Sequence, residues 1–392
     1  MSFSARTYLR LLRVTFFHRQ DLPASQCRSL LFCLKFFTLF PLAEFFNVLC
    51  LLLDAIFFPG YRRVSIPEPI FLIGNPRSGT TILHRVMAKD EERFFCFRTW
   101  EIVFPSVLQK RIVSSIGRLD GLLGNRLRGF LLRAEAKRFK EFNRLHTIGL
   151  FLPEEDDKLF VHILASADLA FIFPYGGFER MARLDVAVHP KDQRRVMDFY
   201  VQCVRRQAYF KGGRRTFLSK NPWFTGKVEN LLRCFPDCKV IYLVRNPLDV
   251  VPSAISVARA IIGSTVGAEP EADLDEKVYE AVKFYYSYPL NRLSSLPKER
   301  LVLVDYEELI RRPKQVVRQI YNQLRIALTP EYEKRLDQEV VNMQKYRSSH
   351  RYSLDQCDVT RERIVCELKQ VFDRFGFDTR ETSRADCSSR SG

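Results

Sequence analysis

The 392-residue chain has a formal net charge of +17, and 46% of its residues are hydrophobic. This is enough apolar sequence for one large or two medium domains with a buried core. The positive charge favours anionic partners such as nucleotides, sulfated or phosphorylated compounds and membrane surfaces. The ten cysteines include no Cys-x-x-Cys pair, and the sequence has no zinc-finger spacing, RNA-binding signature or long basic run. We therefore expect a cytoplasmic protein with reduced thiols, no metal site and no specific nucleic-acid partner.

Residues 1–60 are predicted to form amphipathic and apolar N-terminal helices. Residues 1–20 combine arginines with Phe, Leu and Val and have no acidic residue, which is typical of helices that lie on membrane surfaces. The apolar segment 30–58 is interrupted by four residues, Lys35, Pro41, Glu44 and Asp54. We therefore favour helices that pack on the following domain. Peripheral membrane contact is the main alternative, and a span of about 20 apolar residues is not favoured.

Residues 70–84 (IFLIGNPRSGTTILH) predict an anion site. Four apolar residues are typical of a buried strand, residues 74–79 of a tight loop, and Thr80 onward of a helix. Backbone N–H groups and the helix dipole meet at such a junction and attract an anion. The spacing is that of a Walker A loop, but Thr80 stands at the position of the lysine, and Arg77 lies inside the loop. The loop therefore suits a phosphate-like anion but lacks the lysine clamp of ATPases and kinases.

Strand and helix patterns alternate along the rest of the chain. The predicted strands are 70–73, 94–97, 216–219, 239–244 and 301–304. Strands interleaved with helices predict an α/β fold, with a P-loop-type parallel sheet flanked by helices. Residues 106–185 contain no convincing strand and are predicted to be a helical insertion that forms walls for an acceptor. The main domain is predicted to cover 61–378, and the polar segment 379–392 to be a disordered tail.

A second anion site is predicted after the strand at 239–244. Arg245 follows this strand directly, at the carboxyl edge where open α/β sheets bind ligands. Ser253 follows eight residues later in the sequence Arg-x7-Ser. The two side chains suit a second phosphate, which an arginine binds through bidentate, charge-assisted hydrogen bonds. The alternative is a loop arginine that donates to backbone carbonyls.

Together these segments resemble the sulfotransferases that use 3′-phosphoadenosine 5′-phosphosulfate (PAPS). The similarity covers roughly residues 60–355 and is carried by GNPRSGTT, SKNP, FPDCKVIYLVRNPLDVVPS and LVDYEEL. It implies that a sulfo group moves from PAPS to a hydroxyl acceptor by in-line displacement, without a metal. It also implies ligands for the 5′-phosphosulfate, namely Arg77, Ser78, Gly79, Thr80 and Thr81. For the 3′-phosphate it implies Arg245 and Ser253.

The chain departs from the cytosolic small-molecule sulfotransferases at two places. Their loop has lysine where Arg77 stands, and their catalytic histidine has no counterpart in Lys-Asn-Pro at 220–222. The tyrosylprotein and carbohydrate sulfotransferases are more similar in this respect. Charge builds on the leaving phosphate oxygen during sulfo transfer, and cations at that oxygen stabilise it. Lys220, at the end of a predicted strand, is the catalytic candidate for this role together with Arg77.

The general base is left open among three residues, since only His, Asp or Glu within hydrogen-bond reach suits an acceptor hydroxyl. His146 precedes the acidic cluster 154–157, whose carboxylates would orient its ring. Glu101 lies near the position of the catalytic glutamate of tyrosylprotein sulfotransferases, about three residues further along. These two rank equally and Glu155 follows, because acidic residues after a proline more often begin a helix. His84 is expected to pack on the first helix of the domain.

The acceptor is not identified by the sequence. The 33 Phe and 15 Tyr, with the apolar N-terminal helices, favour a lipid-like or otherwise apolar alcohol. Two other functions remain open. A P-loop kinase-like phosphotransferase would need a lysine after Gly79 and a Walker B aspartate. A non-enzymatic protein would bind membranes or polyanions through its positive charge.

Overall fold

A five-stranded parallel sheet forms the centre of the computed structural model, which describes residues 4–18, 29–138, 149–266, 272–345 and 354–379. The strands are β1 (Ile70–Gly74), β2 (Phe94–Phe95), β3 (Thr216–Lys220), β4 (Lys239–Val244) and β5 (Leu301–Asp305). Their order in the sheet is β2-β3-β1-β4-β5. The predicted parallel α/β sheet is thus confirmed, although β2 is shorter than predicted.

Helices surround the sheet and make up most of the remaining described chain. Before β3 these are α1 (Ala5–Phe17), α2 (Leu30–Phe57), α3 (Thr80–Met87), α4 (Thr99–Val103), α5 (Val107–Leu122), α6 (Arg126–Arg138), α7 (Leu169–Ile172), α8 (Leu184–Ala187) and α9 (Pro190–Phe210). After β3 follow α10 (Val228–Cys234), α11 (Pro247–Val266), α12 (Leu274–Leu293), α13 (Tyr306–Arg311), α14 (Pro313–Gln323), α15 (Pro330–Lys345), α16 (Arg361–Glu367) and α17 (Lys369–Phe375). Short 3₁₀ helices include Asp156–Ile163 and Pro222–Gly226.

Alternating side chains of β1 divide the core into two layers. Phe71 and Ile73 belong to a cluster with residues of α9, α10, α11 and α12. Ile70 and Leu72 belong to a second cluster with residues of α3, α14 and α15. All five residues of β1 are buried, as expected for a central parallel strand covered on both faces.

The carboxyl ends of three adjacent strands meet at one edge of the sheet. In the register of β1 with β3, Leu72 lies opposite Lys220, and in that of β1 with β4, Gly74 lies opposite Leu243. The loop after β1, the end of β3 and the residues after β4 are therefore neighbours. This edge is where the predicted site residues are expected to meet.

The N-terminal helices pack on the domain, as predicted. Leu11 of α1 and Phe37 of α2 form a third cluster with residues between 164 and 178. Most of the apolar segment 30–58 forms one helix, Leu30–Phe57, which continues through Pro41. The described part of 106–185 contains helices and turns but no strand, which agrees with a helical insertion. The predicted tail lies outside the described residues from residue 380 onward.

Candidate active site

The loop between β1 and α3 closes tightly because two of its residues are glycines. Gly79 is the N-cap of α3 and has a left-handed backbone with φ of 89°. A Cβ atom there would lie 2.6 Å from Cδ2 of Tyr306, and one at Gly74 would lie 2.5 Å from the carbonyl oxygen of Leu243. Arg77 also has a positive φ, 72°, which costs free energy in a non-glycine residue. The backbone is thus held in a strained loop of the kind that surrounds anions.

Arg77 from this loop contacts both residues of the second predicted anion site. Its Nε donates a hydrogen bond to Oγ of Ser253 at 3.1 Å, and its carbonyl oxygen accepts one from Nη1 of Arg245 at 3.2 Å. Two guanidinium groups and a hydroxyl therefore converge at the carboxyl edge of β1 and β4. Two arginines and a serine hydroxyl give this edge of the sheet a positive charge and hydrogen-bond donors, which favours the binding of an anion.

The side chain of Arg245 is fixed but keeps hydrogen-bonding capacity. Its guanidinium carbon lies 4.4 Å from the ring centre of Tyr306, in a cation–π contact. Its Nε is buried and forms an ion pair with Asp249 at 3.5 Å, but it makes no hydrogen bond to any residue that the structure describes. A buried donor without an acceptor is costly, and a phosphate oxygen would satisfy it. The residues present therefore fit a phosphate-bearing nucleotide.

The remaining loop residues shape the backbone. Ser78 is fully buried, and its hydroxyl donates to the carbonyl oxygen of Asn75 at 2.5 Å, while Thr80 is buried and Thr81 half-buried at the start of α3. Thr225, which the sequence did not single out, accepts from the N–H of Gly74 at 3.0 Å. Tyr306 was missed as a site residue too, although it lies in the quoted LVDYEEL segment.

Lys220 and Glu155 form a nearly buried ion pair beside the loop. Nζ of Lys220 lies 2.5 Å from Oε1 of Glu155, and the two side chains are 2% and 16% exposed. Glu155 begins the 3₁₀ helix at Asp156–Ile163, but its side chain does not cap that helix and turns to Lys220 instead. A carboxylate that the sequence ranked third therefore lies against the predicted catalytic lysine.

The next two carboxylates hold this segment against β3. Asp156 accepts from the hydroxyls of Tyr200 at 2.6 Å and Ser219 at 2.7 Å, and burial raises the pKa of Asp156 to about 7. Asp157 is paired with Lys227 at 2.9 Å, with both side chains fully buried. These contacts fix the position of Glu155. The acidic cluster therefore attaches the insertion to the carboxyl edge of the sheet.

His84 lies beneath the site on α3. Burial, followed by the nearby charge of Lys220, lowers the pKa of His84 to about 3. The imidazole is therefore neutral and a weak base at physiological pH, which agrees with the expectation that it packs on the first helix of the domain.

Of the two residues ranked first as general base, the structure describes only Glu101, which pairs with Lys211 and not with Lys220. Glu101 is fully buried in α4, where it accepts from the backbone N–H of Arg98 at 2.8 Å and pairs with Lys211 at 2.6 Å. It closes a capping box, which favours a structural role for this carboxylate. His146 lies outside the described residues. Within the described ranges, no group of three or more His, Cys, Asp or Glu residues is arranged to hold a metal ion.

The fold and the site define an α/β protein that binds anionic groups at a loop of P-loop type. Residues 69–330, more than half of the chain, match the model of the sulfotransferase family. The chain belongs to this family and is an enzyme that transfers a sulfo group, for which the family implies PAPS as the donor. Family membership sets aside the kinase-like and non-enzymatic alternatives.

Curated relatives and solved structures agree with this assignment. The chain is 25% identical over 336 residues to the omega-hydroxy-beta-dihydromenaquinone-9 sulfotransferase Stf3 of Mycobacterium bovis and of Mycobacterium tuberculosis, covering 81% of this chain and 77% of the relative. Sulfotransferase STF9 from Mycobacterium avium is similar in structure, with a TM-score of 0.75, 17% identity, and coverage of 96% of this chain and 93% of that one. STF1 from Mycobacterium tuberculosis follows, with a TM-score of 0.69, 17% identity, and coverage of 93% and 92%. The two structures confirm the fold.

Proposed function

We propose that the protein transfers the sulfo group of PAPS to a hydroxyl of an apolar, lipid-like acceptor. The contact of Arg77 with both Ser253 and Arg245 carries this proposal, since it joins two predicted anion sites that lie far apart in the sequence. Residues 77–81 would hold the 5′-phosphosulfate, and Arg245 with Ser253 would hold the 3′-phosphate. When bound, the donor supplies an activated sulfo group on a phosphate leaving group.

Support for an apolar acceptor comes from two independent observations. The relative Stf3 is named for a hydroxylated menaquinone, and a menaquinone is a lipid. In this chain the long apolar helix α2 contacts the segment that carries Glu155, through a 2.8 Å bond between Glu44 and His162. A screen of hydroxylated lipids with labelled PAPS, read as a mass increase of one sulfo group, tests the acceptor class. Products formed only from sugars or peptides would contradict it.

We expect the protein to bind 3′,5′-bisphosphoadenosine about ten- to a hundred-fold more tightly than AMP. The difference is the charge-assisted contact of Arg245 with the second phosphate, worth roughly 1.5–3 kcal/mol. Titration calorimetry of both nucleotides measures the difference in affinity. EDTA is present in these titrations, because side-chain cations take the place of Mg²⁺ in this proposal.

Arg245→Ala should abolish the preference, while Arg292→Ala, which removes an arginine paired with Glu229 on the surface, should leave it intact. Equal affinities of the unaltered protein for the two nucleotides would refute the 3′-phosphate assignment.

Among the candidate bases, the structure favours Glu155, which contacts Lys220 directly. We expect Glu155→Gln to lower kcat by about 10²-fold, near the low end for general bases, because the lysine stabilises the carboxylate and limits its basicity. Glu101→Gln should instead lower stability with little change in kcat.

The pH profile distinguishes a carboxylate base from a histidine base. With a carboxylate base, we expect kcat/KM to stay flat down to about pH 5. A fall in kcat/KM near pH ~6.5, together with an inactive His146→Ala variant, would identify His146 as the base.

A further inference from the structure

Helix α2 is attached to the domain through its polar residues. Asp54 accepts from Nε of Arg206 at 2.9 Å, and Asn47 accepts from Gln109 at 2.7 Å. Near the other end of α2, the carbonyl oxygen of Phe37 accepts from the hydroxyl of Tyr8 in α1 at 2.6 Å. Residues 37–54 are thus held against the domain over about 26 Å at 1.5 Å per residue.

The opposite side of α2 is apolar and exposed. Six of its large exposed side chains are Leu42, Phe45, Phe46, Leu49, Leu52 and Ile56. With a mean hydropathy of 2.0, α2 is the one helix among the described residues that is long and apolar enough to cross a membrane. Such a helix is often a buried core helix or a signal sequence. The low burial of α2 argues against the first, and its attachment along the domain argues against the second.

Two neighbouring helices continue the apolar surface. Helix α5 packs on α2 and α6 packs on α5. The exposed apolar residues of α5 and its end are Ile112, Ile116, Leu119, Leu122 and Leu123, at helical spacing along one side. Leu127 and Phe130 of α6 are exposed as well. Contiguous exposed apolar side chains of this kind mark sites of contact with a protein or a membrane.

The exposed charges of these helices all have one sign. On α5 and α6 the exposed charged residues with described side chains are Arg111, Arg118, Arg126, Arg128, Arg133 and Lys137. The acidic residues of the same two helices make hydrogen bonds within the protein. Asp120 accepts from backbone N–H groups at the start of α6, and Glu135 accepts from the backbone N–H of Leu150. On α2, likewise, Glu44 and Asp54 are buried whereas Lys35 is exposed. Among the described side chains of these helices, the exposed charges beside the apolar residues are thus positive, which complements an anionic lipid surface.

We propose that α2, α5 and α6 form a membrane-docking face that lies in the interface of a bilayer containing anionic lipids, with α2 parallel to the membrane plane. The attachments of α2 hold the helix flat on the domain, so it cannot leave to cross the bilayer without breaking buried bonds. A second copy of the chain is a poorer occupant, because two faces with the same positive charge repel each other. The proposal does not depend on the sulfo donor.

Flotation of the full-length protein with vesicles tests whether this face binds membranes that contain anionic lipids. We expect binding to vesicles of phosphatidylcholine mixed with phosphatidylglycerol and much weaker binding to phosphatidylcholine alone. The triple variant Arg118→Gln, Arg126→Gln, Arg133→Gln should weaken binding to the anionic vesicles by on the order of 100-fold, about five-fold per charge. A control with the same loss of charge elsewhere, Lys298→Gln, Arg312→Gln, Lys334→Gln, should bind nearly as well as the unaltered protein.

A second pair of variants tests the apolar contribution. Leu122 and Leu123 are 84% and 71% exposed, so changing both to serine should leave the fold intact and lower vesicle binding at least ten-fold. The matched control changes two exposed valines elsewhere, Val186→Ser and Val341→Ser, and should have little effect. Binding of bisphosphoadenosine, measured for every variant without vesicles, reports on the nucleotide site separately from membrane docking.

Three results would overturn the proposal. Equal losses in the charge variant and its control would show that only net charge matters. Resistance of the bound protein to extraction by alkaline carbonate would show that α2 spans the bilayer. A dimer in light scattering that Leu122→Ser, Leu123→Ser dissociates, without vesicle binding by either form, would show that a second copy covers the face.

Discussion

Lys220→Ala is expected to lower kcat by about 10²–10³-fold while changing the affinity for PAPS only a few-fold. The lysine lies at the carboxyl end of β3, where we propose that it stabilises negative charge that develops on the leaving phosphate oxygen during transfer. In PAPS this oxygen is still bonded to sulfur, so PAPS binding does not depend on the developed charge, whereas bisphosphoadenosine already carries that charge on its 5′-phosphate. Steady-state kinetics with labelled PAPS, and calorimetry with PAPS in the absence of an acceptor, measure the two quantities. A role confined to the transition state lowers kcat and kcat/KM together.

Lys211→Ala is the matched control, because Lys211 also pairs with a buried glutamate, Glu101, at 2.6 Å. We expect it to cost stability without a specific loss of kcat. Lys220→Arg, which keeps the positive charge, should recover part of the rate. If Lys220→Ala weakens PAPS binding as much as it lowers kcat/KM, the lysine is a ground-state nucleotide ligand and the catalytic assignment fails.

Asp54→Ala is expected to destabilise the protein by about 3–5 kcal/mol. Asp54 and Arg206 are both fully buried, and removing the carboxylate leaves a guanidinium without its counter-charge. The same carboxylate accepts from the backbone N–H groups of Val107 and Leu108, so the start of α5 loses its partner as well. The urea midpoint and the thermal unfolding temperature measure the loss.

The control removes a surface pair of similar length, Arg325 with Glu299 at 3.1 Å, whose side chains are 76% and 47% exposed. Glu299→Ala should change stability by less than about 1 kcal/mol, since solvent screens an exposed pair. Similar losses for the two variants would mean that the Asp54–Arg206 pair contributes no more than a surface contact. Asp54→Asn, which keeps an acceptor for α5, should fall between the two.

The strands were predictable because each is a short apolar run between turn-forming residues. Their order in the sheet was not, since the sequence carries no signal for which strands pair. The helix over 30–58 was predicted, but its continuity through Pro41 could not be read from local sequence, because proline removes one backbone hydrogen bond of a helix. The β2 prediction was two residues too long, since only Phe94 and Phe95 pair with β3.

The site was predictable where local sequence dictates it. The loop glycines, Arg77 and Arg245 follow from strand–loop–helix chemistry, and their spatial meeting follows from the parallel sheet. The pairing of Lys220 with Glu155 was not predictable, because it joins residues 65 positions apart across the insertion. For Glu101, the sequence suggested a base, whereas the capping box of α4 and the pairing with Lys211 depend on tertiary contacts.

The strand order also has a consequence for how the protein is made. β1 lies between β3 and β4 in the sheet. Neither neighbour can pair with β1 until residues 216–220 and 239–244 have been synthesised and have left the ribosome. At about 5–20 residues per second, this delay is on the order of 10 s. During that time β1 has two unpaired edges, and the buried aspartate of α2 still lacks Arg206. The nascent chain therefore exposes an apolar helix before its domain exists, and we expect its yield to depend on chaperones or a lipid surface during translation.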